Sequence, residues 1–222
     1  MGTTNHEKHQ EAYAGAEAAV RALPAADIAA RAGLLWMPAP IDRKDPGARA
    51  GSPTGHFEIA AFGATARLSW PDLSFESPSP LLMTFPWRLI CLHHLAMARG
   101  AKPGDDWVSY RELPDGLFYA NTITREIELP LAHLFGNDPD AFLAAGSALG
   151  GTSLQLADVA LVFHPLPRVP VVFALWREDD EFPAKVKVLY ERVGAAGLPL
   201  QDLRIVAELA GAGMKAAAGN TT

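Results

Sequence analysis

The sequence of 222 residues predicts a single α+β domain: a mostly antiparallel sheet with helices packed on one face, preceded by an N-terminal helical extension. Three observations predict it. Segments of helical period and pairs of strand-length runs are segregated along the chain rather than alternating as β-α-β units. Two continuous apolar runs, 159–163 and 169–176, are separated by only His164-Pro165-Leu166-Pro167-Arg168, too short for a crossover, so they form a hairpin. Hydrophobic residues make up 49% of the chain and charged ones 20%, enough to bury a sizeable core and too apolar for a disordered chain.

The elements follow in order. Residues 5–23 are rich in Ala and Glu with apolar residues at helical spacing, and Pro24 ends them. A short helix, 28–32, stops at Gly33. Residues 42–55 hold Pro46, Gly47, Gly51, Pro53 and Gly55 and read as an exposed loop. From 56 to 70 the chain alternates, with a turn at Phe62-Gly63-Ala64, which is a hairpin pattern, and 74–76 adds a short strand. Residues 81–99 read as a helix stopped by Gly100. A strand covers Trp107, Val108 and Tyr110, and Leu113-Pro114-Asp115-Gly116 is a turn. Helices are expected over 127–135 and 140–149, the second capped at or beside Asp138. Val186, Val188 and Tyr190 alternate with Lys185, Lys187 and Leu189 in a third, partly exposed strand. A helix over 200–218 closes the chain, with Asp202 and Lys215 matching its dipole. The extension is placed at 1–40 and the domain at 56–218. Leu82, Leu89, Leu92, Leu203 and Val206 are the expected helix contributions to the core.

Composition excludes several functions. The formal net charge is −6 and the Lys and Arg residues are scattered, which disfavours nucleic acid as a partner. One cysteine, Cys91, rules out an intrachain disulfide and an all-cysteine iron–sulfur or zinc site within the chain. No segment has the length and apolarity of a secretory signal or a membrane span, so a cytoplasmic location without membrane partners is expected. Phosphate-loop, dinucleotide, nucleophile-elbow, HExxH and CxxC motifs are absent.

Four stretches can carry chemistry. Cys91 and His94 share a helix face, while His93 points about 100° away from His94. A metal would need further donors, with His133 and His164 available; a buried thiol in a core helix explains the pair more simply, so no metal site is assigned. His164 and Arg168 sit among Pro165, Pro167 and Pro170, which present a donor and a guanidinium on a rigid turn. Trp107, Tyr110 and Arg111 supply ring faces and a planar donor, and are expected to form the wall opposite that turn. The acids 178–181 read as a solvated loop.

Three stretches resemble a known family: WVSYRELPDGLFY at 107–119, ALGG at 148–151 and FHPLPRVPVVFALWREDDEFPAKVKVLYE at 163–191. Together with the order of elements they resemble the DUF3786 family, a domain of unknown function, over roughly residues 57–210. The resemblance implies a place in the metabolism of anaerobic bacteria and archaea. Some members carry an additional four-cysteine iron–sulfur domain similar to those of corrinoid proteins. This chain has one cysteine, so no iron–sulfur cluster is expected, and its N-terminal helix stands where that domain would be. The resemblance carries over no catalytic residue. Together with histidines lying beside aromatic and apolar segments, it leads to the expectation of a tetrapyrrole ligand, a corrinoid or haem; the residues themselves offer His164, His93 or His94 as donor, Arg88, Arg111 and Arg168 as anchors, and Trp107 and Tyr110 as ring contacts. The alternatives are a non-catalytic accessory subunit that binds a protein partner, and an enzyme acting on a small acidic metabolite with His164 as base and Arg168 as clamp.

Overall fold

The computed structural model describes residues 5–40 and 54–219, so the loop expected over 42–55 lies almost wholly outside the described residues. The chain is α+β, and every strand pair with an assigned register is antiparallel. It divides into two compact units, residues 1–59 with 65–100, and residues 60–64 with 101–222.

The first unit begins with α1 (Asn5–Arg21) and α2 (Ala25–Ala32). Gly33 ends α2 at φ 74°, where a left-handed residue is needed and its N–H bonds Ala29 O. A four-stranded sheet follows, in the order β1 (Leu35–Pro38), β2 (Gly55–Ala61), β3 (Ala64–Trp70) and β4 (Phe75–Glu76). The β2–β3 turn has positive φ at both Phe62 and Gly63, the twist a two-residue hairpin favours. The helix expected over 81–99 is broken. A 3-10 turn, Leu81–Met83, is followed by Thr84, which restarts the chain as N-cap of α3 (Phe85–Met97) and accepts the Trp87 N–H. Both α1 and α2 pack on α3. Ile28, Phe57, Ile59, Leu68, Trp87 and Leu92 are fully buried in this unit; Leu82 is buried as expected, while Leu89 is only half-buried.

The second unit is built on a five-stranded sheet in the order β5 (Trp107–Ser109), β9 (Lys185–Glu191), β8 (Val169–Trp176), β7 (Val159–Leu166) and β6 (Thr152–Ser153). The expected β7–β8 hairpin is present, but β7 runs on to Leu166. A register shift between Phe163 and Leu166 takes up Pro165, which lacks an N–H. The turn is thereby reduced to Pro167-Arg168. Arg168 lies at φ 62°, the second central position of a type II turn, with proline fixing the first.

One face of this sheet carries Leu161, Phe163, Val171, Phe173, Val188 and Tyr190, all buried. Helices cover it: α5 (Leu129–Phe135), α6 (Pro139–Ala148) and α8 (Leu200–Gly219). Gly146 of α6 and Gly211 of α8 let those helices lie against Leu161, Phe163 and Phe173. The other face holds a thinner cluster of Ala160, Val172 and Ala174, packed by Trp107, Leu154, Val162 and Leu189. As expected, Asp138 caps α6 through the Ala141 N–H, and Leu203 and Val206 are buried. Lys215 falls short of the last turn, because α8 continues to Gly219. Before α5 the chain forms α4 (Ala120–Ile123) and a π-helical segment, Thr124–Glu128, so helix begins seven residues earlier than the expected 127. A short α7 (Arg192–Ala195), capped by the Glu191 carboxylate at the Gly194 N–H, follows β9.

Candidate functional site

The second unit holds a cavity of about 300 Å³ lined by Tyr110, Tyr119, Thr122, Leu200, Gln201 and Arg204. Each wall has a local cause. Directly after β5, Ser109 and Glu112 form a capping box, with both the Ser109 N–H and its hydroxyl donating to the Glu112 carboxylate, at 2.8 and 2.6 Å. The Ser109 bonds hold the Glu112 carboxyl below the usual carboxylate range. The box winds Tyr110–Glu112 into a 3-10 turn and turns the Tyr110 ring inward. Asp115 at φ 61° then folds the chain back, and Gly116 follows because a Cβ there would stand 1.8 Å from Tyr110 O. That reversal leads through Leu117, Phe118 and Tyr119 to α4, which supplies Thr122.

The opposite wall is the first turn of α8. The Tyr110 hydroxyl donates to Leu200 O at 2.9 Å, and the Tyr190 hydroxyl donates to Leu203 O at 3.2 Å. The two rings meet edge to face, with centroids 5.8 Å apart. Burial pushes the Tyr110 phenol up to about 12, partly offset by Arg204, and holds Tyr190 well above its ordinary value. Both therefore stay protonated donors at neutral pH. Arg204 bonds Glu208 one turn on, so the positive charge at the cavity is partly balanced. Burial raises the Glu208 carboxyl above its ordinary value, and Arg204 opposes this. The π-helical segment that follows α4 adds one residue per turn and directs Glu128 inward. Its carboxylate accepts from Lys187 Nζ (2.6 Å), the Thr124 hydroxyl (2.8 Å) and the Val188 N–H (3.1 Å). This bonding locks the helical segment to β9.

The residues singled out in the sequence are spread more widely. Tyr110 lines the cavity, whereas Trp107 packs on the other face of the same sheet, against the cluster of Ala160, Val172 and Ala174, and Arg111 is exposed. His164 and Arg168 lie at the β7–β8 end, and β9 and β8 stand between β5 and β7. The expected opposing wall is therefore not formed: these stretches are strands of one sheet, roughly 5 Å apart per strand, not facing surfaces. His164 is exposed over part of its surface. Desolvation of the rest lowers its pKa, so the ring is neutral near pH 7, and its carbonyl accepts the Phe62 N–H. His93 and His94 belong to the first unit. His94 is buried with Nε2 3.3 Å from Ala32 O, and His93 is half-buried, as their divergent directions on a helix require. Cys91 is fully buried, and burial pushes its thiol far up, so it packs as a small apolar residue. Among the described residues no group of three or more His, Cys, Asp or Glu is placed to hold a metal, and no helix is long and apolar enough to cross a membrane.

Tyr119, Thr122, Gln201 and Arg204 are not among the residues that the sequence singles out as candidates. The one available signal was the turn Pro114-Asp115-Gly116, which reverses the chain beside Tyr110 and brings the second tyrosine to it. A family model described as "Domain of unknown function (DUF3786)" matches residues 46–211, three quarters of the chain. No curated protein and no solved structure matches.

Proposed function

The chain belongs to the DUF3786 family, described only as a domain of unknown function, and from the geometry we propose that it binds a small, oxygen-rich molecule with a flat ring in the cavity between Tyr110 and Arg204. The observation that carries this reading is the convergence of two tyrosines, Thr122, Gln201 and the half-buried Arg204 on one cavity at the lower end of the size range for ligand sites. The rings offer π-faces. The hydroxyls, amide and guanidinium offer donors to carbonyl, hydroxyl or carboxylate oxygens. Because Glu208 partly balances Arg204, the cavity does not require an anion, and a neutral ligand is accommodated too.

A second reading keeps the tetrapyrrole. A whole porphyrin or corrin is wider than this cavity, so the ring would lie outside it and insert one carboxylate or amide side chain. The observation favouring this is the run Leu117-Phe118-Tyr119, exposed at 60%, 82% and 57%, three successive large apolar residues leading to the cavity wall. The same run would serve a protein partner if no macrocycle binds.

Mass spectrometry of small molecules released by denaturing the purified protein tests the first reading. A species present with wild type and missing from Arg204→Gln is expected; identical profiles refute it. Visible-absorbance titration with haem and with cobalamin tests the second. A saturable change lost in Phe118→Ser supports the macrocycle, and a flat titration with both eliminates it.

A further inference from the structure

The first unit contains an arginine whose charge is not balanced. Arg88 sits in the first turn of α3, where a cation opposes the helix dipole, and that turn has no acidic residue. Its guanidinium carbon stands 5.7 Å over the Tyr13 ring of α1. Among the described residues no carboxylate lies within ion-pair distance of it, and its Nε–H is buried without a hydrogen-bond partner. The nearby acid, Glu17, is engaged by Arg21 at 3.3 Å. A half-buried cation in this state costs free energy that an anion would recover.

Beside Arg88 is a groove of about 240 Å³ lined by Gln10, Tyr13, Ala14, Glu17, Phe85 and Arg88. Its walls are aromatic. Phe85 lies 5.6 Å from Tyr13 and 5.4 Å from His9, both tilted, so one ring is flanked by two others. We infer that this groove between α1 and α3 is a second ligand site, for a small carboxylate carried on an aromatic ring: the carboxylate takes the Arg88 fork and the ring lies against Phe85 and Tyr13. Tyr13 supports the assignment, because burial raises its pKa while Arg88 pulls it down, which keeps the phenol a neutral donor beside the cation. The site differs from the cavity of the second unit in one chemical respect. There Glu208 is bonded to the arginine, whereas here the lining carboxylate, Glu17, is bonded to Arg21 and not to Arg88, so this site favours a negative charge at Arg88.

The probe is benzoate, added to the full-length protein and followed by NMR through the Arg88 Nε–Hε signal and the Tyr13 and Phe85 signals. Benzamide, its neutral isostere, and inorganic phosphate are the comparison arms. Saturable shifts at these residues with benzoate are expected, with benzamide about ten- to hundredfold weaker for want of the charge-assisted bond. Arg88→Gln should weaken benzoate by a similar factor, Arg88→Lys should retain an intermediate affinity, and Arg204→Gln should change nothing. If Arg88→Gln fails to fold, the comparison of Arg88→Lys with wild type decides in its place. Equal binding of benzamide, undiminished binding in the Arg88 variant that folds, or no saturation would overturn the assignment. Phosphate binding as tight as benzoate would remove the role given to the rings.

Discussion

Glu128 is a buried charge that ties the π-helical segment to β9, and Glu128→Gln measures how much the second unit depends on it. The substitution keeps the shape of the side chain and removes its charge. In the native protein one carboxylate oxygen accepts from Lys187 and Thr124, and the other from the Val188 backbone N–H. An amide offers only one acceptor oxygen, so its NH₂ must face either the Lys187 ammonium or the Val188 N–H, donor against donor. Leaving one such donor unsatisfied costs about 1–3 kcal/mol, and the lost charge assistance to Lys187 adds about 1 kcal/mol, discounted because Lys187 remains 31% exposed. The sum is about 3 kcal/mol, below the loss of about 3–5 kcal/mol typical when one partner of a fully buried pair is deleted. With a urea dependence of about 2–3 kcal/mol per molar for a chain of this size, the unfolding midpoint should fall by about 1 M. Urea denaturation followed by tryptophan fluorescence reads it, and a cycle with Lys187→Met isolates the pair. A midpoint within about 0.2 M of wild type would show that this network contributes little, and the reasoning would fail.

Three further outcomes are expected. Gly150 lies at φ 77°, and a Cβ there would be 2.3 Å from Gly63 N, so Gly150→Ala should cost at least about 3 kcal/mol by thermal denaturation; Gly15→Ala, in open space on α1, should stabilise by about 0.5 kcal/mol. Tyr110 titrates at about 12 in the fold against 10.0 when unperturbed, so the unfolded chain loses that proton first and stability falls as pH rises through this window. Tyr110→Phe should therefore flatten the decline between pH 10 and 12 in alkaline denaturation curves, and an unchanged slope would contradict the assignment. Cys91 should stay unreactive to a thiol reagent in the native protein and react on unfolding, and Cys91→Ser should cost about 1–2 kcal/mol by placing a hydroxyl in an apolar core.

Where the sequence carries a strong period or a rigid residue, the fold is legible in it. The β7–β8 hairpin follows from two apolar runs joined by too few residues to cross over, and α6 follows from Asp138 ahead of an apolar segment. The failures have specific causes. Thr84 divides an apolar stretch whose periodicity gives no sign of a break, since capping by a threonine hydroxyl competes with helix continuation only once Pro86 has removed a donor. The π-helical segment adds a residue where the 3.6-residue pattern has no vocabulary for it. What fixes it is Glu128 reaching β9 some sixty residues later in the chain, a contact that local sequence does not encode. In the sequence the ALGG stretch reads as a helix stop at Gly150-Gly151 and as part of a resemblance. Its reason is the close approach of the Gly150 and Gly63 backbones, which requires both to lack a side chain.

The candidate site shows a different limit. Rigidity is what singles out His164 and Arg168 in the sequence, but only Arg168 lies on the proline-fixed turn, and His164 belongs to β7. A rigid turn, however, presents side chains without enclosing them. Enclosure at the Tyr110–Arg204 cavity comes from two stretches far apart in the chain, 110–122 and 200–204, and each contribution is ordinary alone: a tyrosine after a strand, a threonine in a four-residue helix, and an arginine one turn into the closing helix. What joins them is hydrogen bonding of tyrosine hydroxyls to the carbonyls of Leu200 and Leu203, which ties the start of α8 to the 3-10 turn after β5 and to β9. The closing helix is therefore part of the site's wall as well as part of the core. A shift in its first turn would open the cavity and break both tyrosine bonds together. Ligand binding and protection of the α8 amides from hydrogen exchange should consequently rise and fall as one.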